Sequence, residues 1–122
     1  MIPITHREFV RLVRRAYAKV PAEMRRSLEN VDVTVEDWPG PEEADLVEGD
    51  AALYGLFSGQ PLTEREGLGP LLPDRIVIYR QPILRNSKTR TEAEREIRIT
   101  LWHEIGHYLG MTEEDLHRLG YG

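Results

Sequence analysis

The chain contains no cysteine. That excludes a disulfide framework and any thiolate metal ligand, so a metal site must be built from His, Asp, Glu and water. No apolar run reaches the ~18 residues of a membrane span. The N-terminus lacks a positively charged segment followed by an apolar one, so no signal peptide is expected. Together these absences predict a cytoplasmic protein with no membrane partner. Lysine is scarce, occurring only at positions 19 and 88. The net charge of −5 gives no overall attraction to nucleic acid or to an anionic membrane. No internal repeat, low-complexity segment or interdomain linker interrupts the 122 residues. The length predicts one domain spanning residues 1–122. With 40% hydrophobic and 30% charged residues, the composition is that of a globular chain with a modest core.

Two of the four histidines stand together in His103-Glu104-Ile105-Gly106-His107. On a helix, a spacing of four residues puts both imidazoles on one face. That arrangement suits a single Zn²⁺ held through two ring nitrogens, with the intervening glutamate beside the pair. The pattern H-E-x-x-H is that of zinc proteases, in which the glutamate is the general base. A catalytic zinc takes three protein ligands and leaves one position open. Gly110 permits a sharp turn after His107, which folds the following residues back toward the metal. Glu113, ten residues after His103, is the first choice for the third ligand, with Glu114 and His117 as competitors. A helix-capping role is the plain alternative for Glu113.

The surrounding pattern supplies a scaffold. Thr5 and Glu8 open an amphipathic helix carrying Phe9, Val13, Ala16, Tyr17 and Val20. Its arginines read as a solvated face, because a nucleic-acid patch would interleave aromatics. Pro21 suits the first turn of a second short helix over 22–29. Residues 31–36 alternate strictly and predict a half-buried strand. The acidic stretch 39–51 has no periodicity and reads as a surface loop. Residues 52–57 predict a second strand and 61–73 a long loop. The apolar run 75–79 predicts a central strand. Residues 81–85 lead out of that strand, and 86–90 read as a polar connection. Thr91 and Glu94 form a capping box that opens the motif helix, whose apolar line is Ala93, Ile97, Leu101, Ile105 and Leu109. Gly110 stops it, and Thr112 N-caps a last short helix.

The segment from His103 to Gly110, with an acidic residue at 113, resembles the zincin-like metallopeptidases. In particular it resembles short bacterial minimal zincins with a matrix-metalloproteinase-like fold. Similar features run through residues 53–65, 72–76 and 115–120. The resemblance implies an α+β fold in which a small mixed β-sheet packs against the active-site helix. It also implies Zn²⁺ at His103 and His107, with Glu113 as third ligand. Two features depart from the longer proteases. Glu113 stands where they carry a third histidine, and no methionine-containing turn follows the motif.

The chemistry expected is hydrolysis of a peptide or protein substrate by a zinc-activated water, with Glu104 as base. An extended peptide would pair with the strand edge at 53–57. A metal-binding protein without proteolytic activity, in an interaction or regulatory role, is the alternative. A metal-dependent ribonuclease is disfavoured, since the acidic charge and Glu104 both argue against it.

Overall fold

The computed structural model describes residues 2–44, 53–59 and 74–118. The capping pattern at Thr5 forms helix α1, His6–Ala18, where Thr5 Oγ1 accepts the Glu8 N–H at 3.1 Å. Its apolar stripe of Phe9, Leu12, Val13 and Ala16 is buried. Pro21 is the N-cap of α2, Ala22–Arg26, which is shorter than its sequence pattern suggests. The alternating valines form β1, Val31–Glu36.

Three local differences separate the structure from the sequence reading. A one-turn helix α3, Pro41–Ala44, begins where the acidic stretch reads as loop, with proline at its first position. The second strand, β2, is Gly55–Ser58, later and shorter than 52–57. Residues 81–85, read only as the exit from the strand, belong to helix α4, Arg80–Arg85. Pro82 lies in its first turn, where the missing N–H has no helical partner to lose. The proposed loop 61–73 lies outside the described residues.

The apolar run forms β3, Asp74–Tyr79, at the centre of a three-stranded sheet of order β1-β3-β2. β1 pairs with β3 in parallel, with Val31 opposite Asp74 and Glu36 opposite Tyr79. β2 pairs antiparallel, with Gly55 opposite Ile78 and Ser58 opposite Arg75. The sheet is mixed and the fold is α+β. Ile76, Val77, Ile78 and Tyr79 are all buried, as expected of a strand covered on both faces.

The long helix α5, Arg90–Tyr108, fills the space against the sheet and α1. Its cap lies two residues before the predicted one. Thr89, not Thr91, accepts the Glu92 N–H at 3.1 Å, and Glu92 reaches back to the Lys88 N–H at 2.5 Å. The choice of Thr89 follows from that second bond, which Glu94 does not make in the described structure. Ala93, Ile97, Leu101 and Ile105 are fully buried and join Phe9, Leu12, Val13, Ile76, Ile78 and Ile83 in one core.

The helix ends as its glycine predicts. Gly110 takes φ 80°, its N–H bonds to the His107 carbonyl at 3.0 Å, and the Met111 N–H reaches the Gly106 carbonyl at 2.9 Å. This paired reversal is a Schellman motif. It turns the chain into α6, Glu113–Arg118. Thr112 and Asp115 cap that helix reciprocally, each side chain accepting the other's N–H at 3.1 Å. Among the described residues, no helix is long and apolar enough to cross a membrane.

Candidate metal centre

His103 and His107 project from the last turn and a half of α5, where the helix dipole places its partial negative charge and favours a cation. Their ring centroids are 4.5 Å apart at 79° between planes. The reversal at Gly110 brings the first residue of α6 over them. Glu113 Oε1 lies 2.6 Å from His107 Nε2 and 3.3 Å from His103 Nε2. Of the three acidic or imidazole candidates for a third donor, the structure brings Glu113 to both imidazoles. Glu113, Glu114 and His117 are all exposed on α6, and it is the contact to the imidazoles that sets Glu113 apart.

Glu104 is a second carboxylate at the pair. His103, Glu104 and His107 present donor atoms within 4.8 Å of one another. Glu104 and Glu113 nevertheless occupy different sides of His107. Glu104 Oε1 accepts from Nδ1 at 3.2 Å, whereas Glu113 Oε1 accepts from Nε2. Glu104 is 7% exposed, and the same Oε1 accepts the Phe57 backbone N–H at 2.8 Å. Glu113 is thus the carboxylate that faces the Nε2 atoms of both His103 and His107.

The electrostatics follow from these contacts. The His107 imidazole is raised from 6.5 to about 9, chiefly by its hydrogen bond to Glu104, then by Glu113, against the cost of burial. The Glu113 carboxyl is held below its usual value, first by the hydrogen bond from His107 and then by the charge of His103. A positive charge on the His107 ring is thus favoured between the two carboxylates.

The donor set fits zinc. Two donors on a tetrahedral zinc at about 2.0–2.1 Å stand about 3.3–3.4 Å apart. The His103–Glu113 separation of 3.3 Å matches that span. The His107–Glu113 distance of 2.6 Å is a hydrogen-bond length that would open when a cation replaces the proton. The donors are two imidazoles and one carboxylate, the chemistry zinc takes at hydrolytic sites.

Three contributors escape a motif-based reading. Phe57 acts through its backbone, and only the pairing of β2 shows that its N–H faces Glu104. Gly55 carries a legible signal, since a glycine within a strand pattern often marks close backbone approach. A Cβ there would stand 2.6 Å from Thr100 Cγ2 and 3.5 Å from Glu104 Cγ. Tyr108 is buried and packs edge-on against the Phe57 ring, with centroids 5.6 Å apart. Tyr54 is half-buried, and Tyr121 lies outside the described residues. A groove between α1 and β1, lined by Val10, Val13, Tyr17 and Val33, contains none of the histidine or glutamate donors.

A family model described as zincin-like metallopeptidase matches residues 28–122. Among solved structures, a conserved hypothetical protein from Thermus thermophilus is similar at 29% identity, with a TM-score of 0.60. The match covers 87% of this chain and 94% of that one. No curated protein matches the chain.

Proposed function

The chain belongs to the zincin-like metallopeptidase family, and from that membership we propose that it is a zinc-dependent peptidase. The observation that carries the reading is the convergence of His103, His107 and Glu113 beside the buried Glu104. His103, His107 and Glu113 would hold the zinc. Bound there, zinc supplies a Lewis acid that acidifies a water and polarises the scissile carbonyl.

The remaining steps belong to this chain's own residues. Glu104 takes a proton from the attacking water and passes it to the leaving amine nitrogen. The Phe57 N–H and His107 Nδ1–H hold one carboxylate oxygen in place, so the second is the proton acceptor. The outer edge of β2 offers the Gly55 backbone groups and the Phe57 carbonyl to an extended peptide, the Phe57 N–H being held by Glu104. Burial beneath β2 shields Glu104 from bulk water, which strengthens its interaction with a developing positive charge.

The test is digestion of a broad peptide library by the zinc-loaded protein, read by mass spectrometry beside Glu104→Gln. Cleavage by the wild type and none by the variant supports the proposal. A second reading, metal binding without proteolysis, is favoured by one observation. The contact between Glu104 and His107 Nδ1 is the kind by which a carboxylate orients a metal-ligating imidazole. Absence of any Glu104-dependent cleavage across the library would favour that reading.

A further inference from the structure

We propose that Gly106 and Leu116 form a positioning pair that sets Glu113 against the two imidazoles. The inference rests on the reading of Glu113 as a metal ligand. Glu113 is an exposed side chain at the first position of a six-residue helix. A helix that short does not hold its own conformation or place in water. Its place must come from what it packs on. Leu116 is the buried residue of α6, at 1% exposure.

Leu116 sits on Gly106. A Cβ built at position 106 would lie 2.3 Å from Leu116 Cδ2, 3.2 Å from Cγ and 3.4 Å from Cδ1. With Leu116 in this rotamer, residue 106 has no space for a side chain, and Leu116 is buried. Glycine is also unfavourable inside a helix, so its position one residue before His107 points to a close approach that the helix itself does not need. The Gly106 carbonyl meanwhile accepts the Met111 N–H that closes the reversal. One residue therefore fixes α6 at both ends of the return. Its carbonyl holds the turn, and its bare Cα seats Leu116. Glu113 lies between those two points. The chain thereby supports its third donor from within residues 106–116.

The pair acts through Glu113 and touches neither substrate nor ion. That predicts a pattern of metal affinities that simple core packing would not give. Zinc affinity would be measured by competition with a chromophoric chelator, and the coordination sphere by the visible absorption of the Co²⁺ form. Circular dichroism would monitor folding. Gly106→Ala should weaken zinc at least ten-fold and alter the Co²⁺ spectrum, as the loss of support for a metal ligand does. Leu116→Ala, which removes the clashing atoms instead of adding one, should also weaken zinc. The double variant should bind more tightly than either single one, because the new methyl fills part of the vacated space. In a Glu113→Ala background, Gly106→Ala should change zinc affinity less than two-fold.

The outcomes separate cleanly. Unchanged zinc affinity in Glu113→Ala would refute the ligand assignment, and the positioning pair with it. A weakened Glu113→Ala beside unchanged Gly106→Ala and Leu116→Ala would keep the ligand and overturn the pair. A full Gly106→Ala effect persisting without Glu113 would overturn it too. If Gly106→Ala fails to fold, Leu116→Ala alone and with Glu113→Ala decides by the same non-additivity.

Discussion

Phe57 and Glu104, 47 residues apart in sequence, are joined by a backbone N–H to carboxylate bond of 2.8 Å. The Tyr79 N–H bonds to the Tyr54 carbonyl, so alternation along the antiparallel pair turns the Phe57 N–H away from β3. It is an edge donor, and the carboxylate from α5 takes it. The same oxygen accepts from His107 Nδ1. Substitution of Glu104 therefore has two separable consequences. Glu104→Gln keeps a carbonyl oxygen for both donors but cannot accept a proton. Zinc content should be retained while peptide hydrolysis falls by ~10²–10⁴-fold. Glu104→Ala loses the support of the imidazole as well, and zinc affinity should fall by ~10-fold or more. Metal analysis and cleavage assays on both variants check this.

Gly55 lets β2 lie against α5. Gly55→Ala would put a methyl 2.6 Å from Thr100 Cγ2 and 3.1 Å from the Val77 carbonyl oxygen. Overpacking of this kind costs about 1–3 kcal/mol. We expect a loss in urea midpoint with unchanged slope. Gly55→Ala with Thr100→Ser, which removes the nearer methyl, should recover part of it. No recovery would place the strain on Val77 instead.

Glu114 and His117 compete with Glu113 in the sequence and are separated from it by the structure. Glu114→Ala and His117→Ala should each leave zinc affinity within two-fold of wild type, while Glu113→Ala lowers it by ~10-fold or more. Chelator competition on the three variants is the measurement. A loss confined to His117→Ala would reassign the third donor.

Asp37 gives a pH dependence away from the metal centre. Its carboxyl is held below its ordinary value of 3.8, chiefly by a hydrogen bond from Arg80, which donates to Oδ1 at 2.9 Å. Arg80 also donates twice to the Ile4 carbonyl. A lowered carboxylate contributes stability above its unfolded value and loses it as pH falls through the lower folded value. Asp37→Asn should therefore flatten the decline of the urea midpoint below pH 3.8. Because Asp37 is half exposed, at 52%, the effect should be small and should shrink further in high salt.

How far the sequence foretells this molecule depends on the range of the interactions involved. The caps at Thr5 and Thr112, the stop at Gly110 and the strand over 31–36 rest on neighbours within a few residues, and each stands as its pattern implies. Helix α4 does not, because Pro82 reads as a break unless one knows that it falls in a first turn. The cap of α5 is ambiguous in sequence between Thr89 and Thr91, both with a glutamate three residues on. The backbone at Lys88 decides it. The imidazole pair is legible from spacing alone. The partners of Glu104 are not, since a backbone N–H carries no residue identity and its direction is set by β3.

The reversal at Gly110 has a consequence for the order in which the site assembles. All three proposed donors lie within the segment 103–113, and their convergence needs only the end of one helix, a turn and the start of another. Contacts so close in sequence close small loops and form early, at little entropic cost. The partner that orients Glu104 comes instead from β2 and waits on the sheet. Convergence of the proposed donors and alignment of Glu104 thus draw on contacts of different range, the first within eleven residues of chain and the second across 47.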